Sequence, residues 1–380
     1  FDDVAFIKEC KALADQVDTA LKKYAITEHL EWQPHISDIP NPDRNRAFNE
    51  AVRSAKNLDV LVIPGMELTR IDEPGHINAV FIKDANPLVL ASGISDYSPE
   101  HLFATKAEAE TVARAQSAAF ADAHKVERNG DTLWAPFASR SVYMTLVNFG
   151  VAAQRDAREV LDAAAGQGAF NFWNHPSFEK ANSKLSRFHS SAIKDGVLHG
   201  VEIANGDHYY PNAHRLALKH DLAFIGTSDV HQLIAWDYDR EKNKHRPVTL
   251  VLAKERSADS IKEALFDKRT VVLWNHTLLG RKAQLLPLLE ASVSIDRVES
   301  GNNGRTRLFV RNTSSADMQV SNVSKFNTTR SSGTFTLAAK SVTQVDIRMD
   351  EATGELRLDV LNALLAPGKP AQITLPFTKP

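Results

Sequence analysis

The sequence predicts an α/β domain, barrel-like in architecture, followed by a smaller β-rich domain. Three observations carry that reading. Hydrophobic, β-prone runs alternate with helical stretches through about residue 280 of 380, which argues for parallel strands with helices outside. Histidines and carboxylates stand where those strands end, not along helices. From about residue 286 the helices disappear, and short strands follow one another through connections rich in Ser, Thr, Asn and Gly. The alternating part is a barrel or a doubly wound sheet. Ligands drawn from so many strand ends favour the barrel, whose carboxyl rim gathers them.

The elements read as follows. Phe6 to Lys22 has helical spacing (Ile7, Cys10, Leu13, Val17, Leu21), and a strand at Tyr24-Ala25-Ile26 follows. A helix over 43–57 precedes a strand at 59–63 and another from His76 to Ile82. The stretch from about 85 to 150 interrupts the alternation, with an Ala-rich helix over 104–124 and an irregular part at Asn129-Gly130-Asp131. An excursion of this length is a lid or binding element, or an extra pair of structural helices. Alternation resumes with helix 155–165, strands 169–174 and 200–204, helix 211–220 and strand 222–227. Strand 248–253, helix 258–267 and strand 270–274 close the first domain, 1–285. Residues 286–380 hold strands at 292–298, 306–310, 318–323, 334–337, 342–347, 356–361 and 373–377, the pattern of a β-sandwich.

Composition mainly excludes. A formal charge of −2 and a pI near 6.8 give no drive towards nucleic acid or anionic membrane, so neither partner is expected. No run is apolar enough to span a bilayer as a helix. Cys10 is the one cysteine, which excludes an internal disulfide and a thiolate-rich zinc site and leaves the redox compartment open.

The chemistry concentrates in five stretches. Asp229 and His231 lie two apart after Ile225-Gly226-Thr227-Ser228, so an extended backbone points both to one face. Glu67 follows Pro64-Gly65, where glycine allows close backbone approach and the carboxylate can bridge cations; a solvated turn glutamate is the alternative. His175 precedes Pro176 after the apolar run Phe170-Asn171-Phe172-Trp173, as a ligand or a capped core histidine. His76 and His29 complete the candidate set, with Glu28 a possible acceptor for a neighbouring imidazole. Nitrogen and oxygen donors on one rim suit manganese, zinc or iron. His101, His124, His189, His214, His220 and His276 read as solvated. Tyr209 could line a pocket, and Arg246, after His245, offers a planar fork for phosphate oxygens, with a surface salt bridge as its alternative.

Taken in order, these stretches resemble the PHP (polymerase and histidinol phosphatase) superfamily of metal-dependent phosphoesterases. Thr27-Glu28-His29, Pro64-Gly65-Met66-Glu67, His175-Pro176 and Ser228-Asp229-Val230-His231 carry the resemblance, over about residues 1–280. Phe172 to Pro176, Tyr209-Tyr210-Pro211 and His245 to Leu250 resemble a bacterial phosphodiesterase branch, often labelled Sb-PDE, which also carries a β-rich extension. The resemblance implies a distorted (β/α)7 barrel with two or three divalent metals, a small-molecule phosphate ester as substrate, and a periplasmic or secreted location, with a cytoplasmic one still open. The superfamily opens on an H-x-H strand and an S-D-G-like turn, yet no histidine precedes His29. On the resemblance, Phe1-Asp2-Asp3 is the remainder of that turn, Asp3 is a further ligand, and H-x-H belongs just upstream.

The implied reaction is hydrolysis by a hydroxide bridging the metals, with Arg246, helped by His245 or Tyr209, offsetting charge on the phosphoryl oxygens. Two other readings stand beside it: a hydrolase of an amide or lactone carbonyl on the same metals, and a degenerate barrel that binds a partner without catalysis.

Overall fold

A computed structural model describes residues 23–27, 32–33, 43–70, 73–89, 102–116, 120–128, 130–141, 144–146, 156–176, 185–230, 238, 245–301, 305–328, 333–348 and 352–380. The helix expected over Phe6 to Lys22 and the candidate ligands Asp3, His29 and His231 lie outside the described residues. The fold is mixed α/β with a β-rich C-terminal part, in two compact units. One comprises Lys23–Asn174 and Lys184–His199; the other holds His175–Ser183 and Gly200–Pro380.

In the first unit, β1 (Lys23–Ile26), β2 (Trp32–Gln33), α1 (Arg46–Ala55), β3 (Leu61–Leu68) and β4 (Ile77–Val80) come first. Next are α2 (Asn86–Val89), α3 (Lys106–Gln116), β5 (Phe120–Arg128), β6 (Asp131–Ser141), β7 (Met144–Leu146), α4 (Ala157–Gly166), β8 (Phe170–Trp173) and α5 (Arg187–Lys194). β1 runs parallel to β3, but β4 is antiparallel to both β3 and β8. The expectation of an all-parallel sheet is corrected here. Only residues 69–76 join β3 to β4, too few for the crossover that a parallel pair requires. Among the described residues no pairing closes this sheet into a ring.

The interrupted stretch also differs from expectation. The helix ends at Gln116, and residues 120–141 form an antiparallel hairpin, not a second helix. Arg128 pairs with Asp131 across the two-residue Asn-Gly turn, with Gly130 at φ +89°, a left-handed position that glycine adopts without steric cost.

In the second unit the order is β9 (Gly200–Asn205), β10 (His208–Tyr209), α6 (Pro211–Lys219), β11 (Ala223–Thr227), β12 (Val248–Val251), α7 (Ala258–Phe266), β13 (Thr270–Trp274), β14 (Thr277–Gly280) and α8 (Lys282–Ser292). β9 and β11 are parallel, joined through α6, and every residue of β9 is buried. Gly226 is required where β11 meets β13: a Cβ there would lie 2.4 Å from Val272 Cγ1.

The strands β15 (Val293–Ser300), β16 (Arg305–Asn312), β17 (Met318–Asn322), β18 (Thr334–Leu337), β19 (Ser341–Arg348), β20 (Thr353–Ala366) and β21 (Lys369–Thr378) complete the chain. β15, β16 and β19 form a three-stranded sheet; β17, β18, β20 and β21 belong to a larger one. Alternating residues such as Leu356, Leu358 and Val360 on β20 and Ile373 and Leu375 on β21 bury one face of each strand in a shared core. The larger sheet extends past the boundary expected at residue 285. β12, β13 and β14 are antiparallel to one another, and β14 joins it through Leu278 and Leu279 beside Ala363 and Leu364.

Two histidines read as solvated are core residues: His189 is 3% exposed and His214 is fully buried. His189 stacks on Trp173 at 3.9 Å between ring centres, and His214 Nδ1 meets the Tyr209 hydroxyl at 2.8 Å. Burial holds both imidazoles down to about 4, so both are neutral in the folded chain at neutral pH. The unfolded chain binds protons first, near the ordinary value of about 6.5. Their stabilisation is therefore complete above that pH and is lost as the pH falls towards 4. Urea midpoints should be level from pH 7 to 8 and decline below 6.5, and His214→Asn should flatten part of that decline. Midpoints constant down to pH 4 would contradict the assignment.

Candidate metal centre

β3 and β4 set the first two donors. Glu67 pairs with Asn78 in the antiparallel register, so His76, two residues before Asn78, lies diagonally across on the same face. The result is a contact of 2.7 Å between Glu67 Oε1 and His76 Nδ1, with the Glu67 side chain 7% exposed and that of His76 21% exposed.

β8 delivers the next donor to the same strand end. The Asn174 N–H donates to the His76 carbonyl (3.0 Å), and Asn174 Oδ1 accepts from the Asn78 N–H (3.2 Å). His175 is the following residue, 8% exposed, with a backbone φ of +21°. Glu67, His76 and His175 each offer a ligand atom, and these atoms all lie within 4.8 Å of one another. Asp229, two residues past β11 and at φ +50°, places Oδ2 4.0 Å from His175 Nε2. That separation is too long for a hydrogen bond. The two donors would be near enough for a cation held by one of them to be approached by the other. The donor set, two imidazoles and two carboxylates, fits a divalent ion of the zinc, manganese or iron type.

Glu202 of β9 lies under this region, 1% exposed. Its Oε2 accepts from the His175 N–H (2.6 Å) and from Asn205 Nδ2 (3.0 Å), and its Oε1 accepts from the Thr227 hydroxyl. Burial pushes its carboxyl up to about 8, with nearby Asp229 adding to the shift and the three hydrogen bonds opposing it.

The groups expected to contact substrate are placed differently from one another. Arg246 is half-buried, two residues before β12. His245 has both ring nitrogens committed: Nδ1 donates to the Arg246 carbonyl (3.0 Å), and Nε2 accepts from the His276 N–H (3.1 Å). That fixes a neutral tautomer with the proton on Nδ1. The Tyr209 hydroxyl is engaged by His214, and its ring lies 5.6 Å from that of Trp274. Tyr209 is thus tied into the packing of α6. Burial pushes the Tyr209 phenol up to about 12 and also raises the adjacent Tyr210, 8% exposed, where nearby Glu202 and Asp229 add to the shift.

A crystal structure from Bacteroides vulgatus, of a two-domain protein containing a predicted PHP-like metal-dependent phosphoesterase, matches along nearly the whole length. It shares 28% identity over 97% of this chain and 90% of its own, with a TM-score of 0.72. The resemblance to the PHP superfamily extends to the fold. Residues 292–376 also match a family model for an Ig-like domain (DUF5001), which accounts for the β-rich C-terminal part. Structures of a protein from Bifidobacterium adolescentis assigned as a metal-dependent phosphoesterase, and of an amidohydrolase from Chromobacterium violaceum, are more distant. Each is 16% identical; they cover 67% and 58% of this chain and 90% and 82% of their own, with TM-scores of 0.35 and 0.33. Those two carry no argument. Comparison with curated proteins finds no match.

Sequence reasoning missed Glu202 and Asn174. Glu202 lies inside the buried strand β9, and Asn174 directly follows β8, beside His175. The available signal was a glutamate inside the apolar run Gly200-Val201-Glu202-Ile203-Ala204, a position where an ionisable side chain needs a partner.

Proposed function

We propose that this chain is a PHP-like, divalent-metal-dependent phosphoesterase and, within that class, a phosphodiesterase. The observation that carries the reading is the convergence of Glu67, His76 and His175 donor atoms within 4.8 Å. Asp229 belongs to the same set, and His29, His231 and Asp3 extend it to two or three ions of manganese, zinc or iron. Bound there, such ions supply Lewis acidity and lower the pKa of coordinated water towards neutrality.

The chain's own side chains do the rest. Glu67 and Asp229 provide the negative charge that retains dications, and His76 and His175 offer neutral nitrogen donors without adding to it. Arg246 binds the non-bridging phosphoryl oxygens through its fork, and one residual negative charge on a diester suits one such cation. The Ig-like domain is compatible with a periplasmic or secreted protein. Among the described residues no helix is long and apolar enough to cross a membrane.

A substrate panel tests the reading. The metal-loaded chain should hydrolyse a generic aryl phosphodiester faster than the matching monoester, and a lactone or amide not at all. A preference for the carbonyl substrates would favour the amide or lactone hydrolase, and no turnover with tightly bound metal would favour a binding module. Arg246→Ala should reduce kcat/KM for the anionic diester by about 10–100-fold, the value of one hydrogen bond to a charged group, while metal content stays constant. An equal loss with a neutral ester would show that Arg246 supports the fold instead.

A further inference from the structure

We infer that Glu202 is a positioning residue of the metal centre: it fixes the backbone that presents His175 and Asp229, without itself holding a cation. This rests on the metal-site reading above and goes beyond it. Both oxygens of Glu202 are committed to hydrogen bonds, Oε2 to the His175 N–H and Asn205 Nδ2, Oε1 to the Thr227 hydroxyl, and the residue is 1% exposed. Three of the carboxylate's roughly four lone-pair sites are therefore occupied by the protein itself.

What Glu202 touches is the chain that carries them. The His175 backbone N–H donates to it, as does the hydroxyl of Thr227, which stands two residues before Asp229. Those two ligands are also the ones with left-handed backbones, φ +21° and +50°. Residues other than glycine hold such conformations only where their surroundings over-determine them. One buried carboxylate gripping the His175 N–H and the Thr227 hydroxyl supplies that constraint at both positions. Asn205 closes the arrangement, with Nδ2 3.0 Å from Glu202 Oε2 and 3.4 Å from Thr227 Oγ1.

The shape and the charge of Glu202 make different predictions. In Glu202→Gln the side-chain carbonyl can still accept from His175 and Asn205, while the amide donates to a rotated Thr227 hydroxyl. Glu202→Ala leaves the His175 N–H and the Asn205 amide without an acceptor.

The test is cobalt(II) binding to the full chain, read by calorimetry and by the visible ligand-field spectrum, with urea unfolding of each metal-free variant as the control for folding. Glu202→Ala should lose about 10–100-fold in cobalt affinity with an altered spectrum, the usual cost of removing a group that orients a ligand. Glu202→Gln should stay within about threefold of the parent, with the parental spectrum. If the alanine variant does not fold, Thr227→Val, which removes the Oε1 contact and the longer one to Asn205 but keeps the Oε2 bonds, decides through the same readouts. Its expected result is a weakened affinity and a shifted spectrum in a folded chain. Parental affinity and spectrum in the folded alanine variant, or in Thr227→Val where that variant decides, would overturn the inference. So would a glutamine variant as impaired as alanine, because charge and not geometry would then be the operative property. A parent chain that binds cobalt yet cleaves no phosphate ester would fail the proposed function while leaving the Glu202 comparison readable. A parent that binds no cobalt would overturn both.

Discussion

Asp229→Ala is expected to lower turnover by at least about 10³-fold and metal affinity by more than about 100-fold, since even groups that merely orient a ligand are worth 10–100-fold. The side chain is 31% exposed and its Oδ2 lies 4.0 Å from His175 Nε2, so it is neither a core residue nor a hydrogen-bond partner of that imidazole. Its removal should leave the unfolding midpoint of the metal-free chain within about 0.5 kcal/mol of the parent, as for most surface substitutions. Loss of metal without loss of fold is the signature of a ligand. Asp229→Asn keeps the shape and an oxygen donor but not the charge, and should fall between parent and alanine. Unchanged metal content and rate in the alanine variant would remove Asp229 from the site.

Glu67→Ala should be as severe for catalysis and worse for stability. The Glu67 residue is 5% exposed, and its carboxylate sits 2.7 Å from His76 Nδ1. Truncation deletes the second negative charge available to a dication and leaves a buried gap beside His76. Turnover should drop by at least about 10³-fold, and the metal-free chain should lose about 1–3 kcal/mol, the range for disturbing a buried polar group. Glu67→Gln separates the two effects: it should restore most of the stability and little of the metal binding. A glutamine variant with parental metal content would mean that His76, His175 and Asp229 suffice without Glu67.

Much of this fold was legible because local pattern and global structure agree. The β-prone run ending at Trp173 and the helix opening at Pro211 both appear within a residue or two of expectation. Strand direction was not legible from β-propensity and alternation, which describe one strand at a time; the antiparallel β4 depends on the short connection that contains Pro74-Gly75. The hairpin at 120–141 was hidden by alanines, which favour helix intrinsically but accept a strand when an Asn-Gly turn pairs it with a partner. The joining of β14 to β20 could not be read either, since it pairs residues more than eighty positions apart.

The site divides along the same line. Glu67, His175 and Asp229 were legible because each ends an apolar run with a residue that strands otherwise avoid. Hydrogen-bond partners were not: whether a histidine is a ligand, like His175, or committed to backbone, like His245, depends on contacts between segments distant in sequence. His189 and His214 show the same limit from the other side, as imidazoles whose polar sequence surroundings concealed a buried position.

Anomalous diffraction from crystals of the chain loaded with manganese or zinc tests the central claim most directly. The account predicts a peak bonded to Glu67, His76 and His175, with Asp229 on the same ion or an adjacent one and Glu202 on none. A metal bound elsewhere, with these four side chains making no bond to it, would contradict the account.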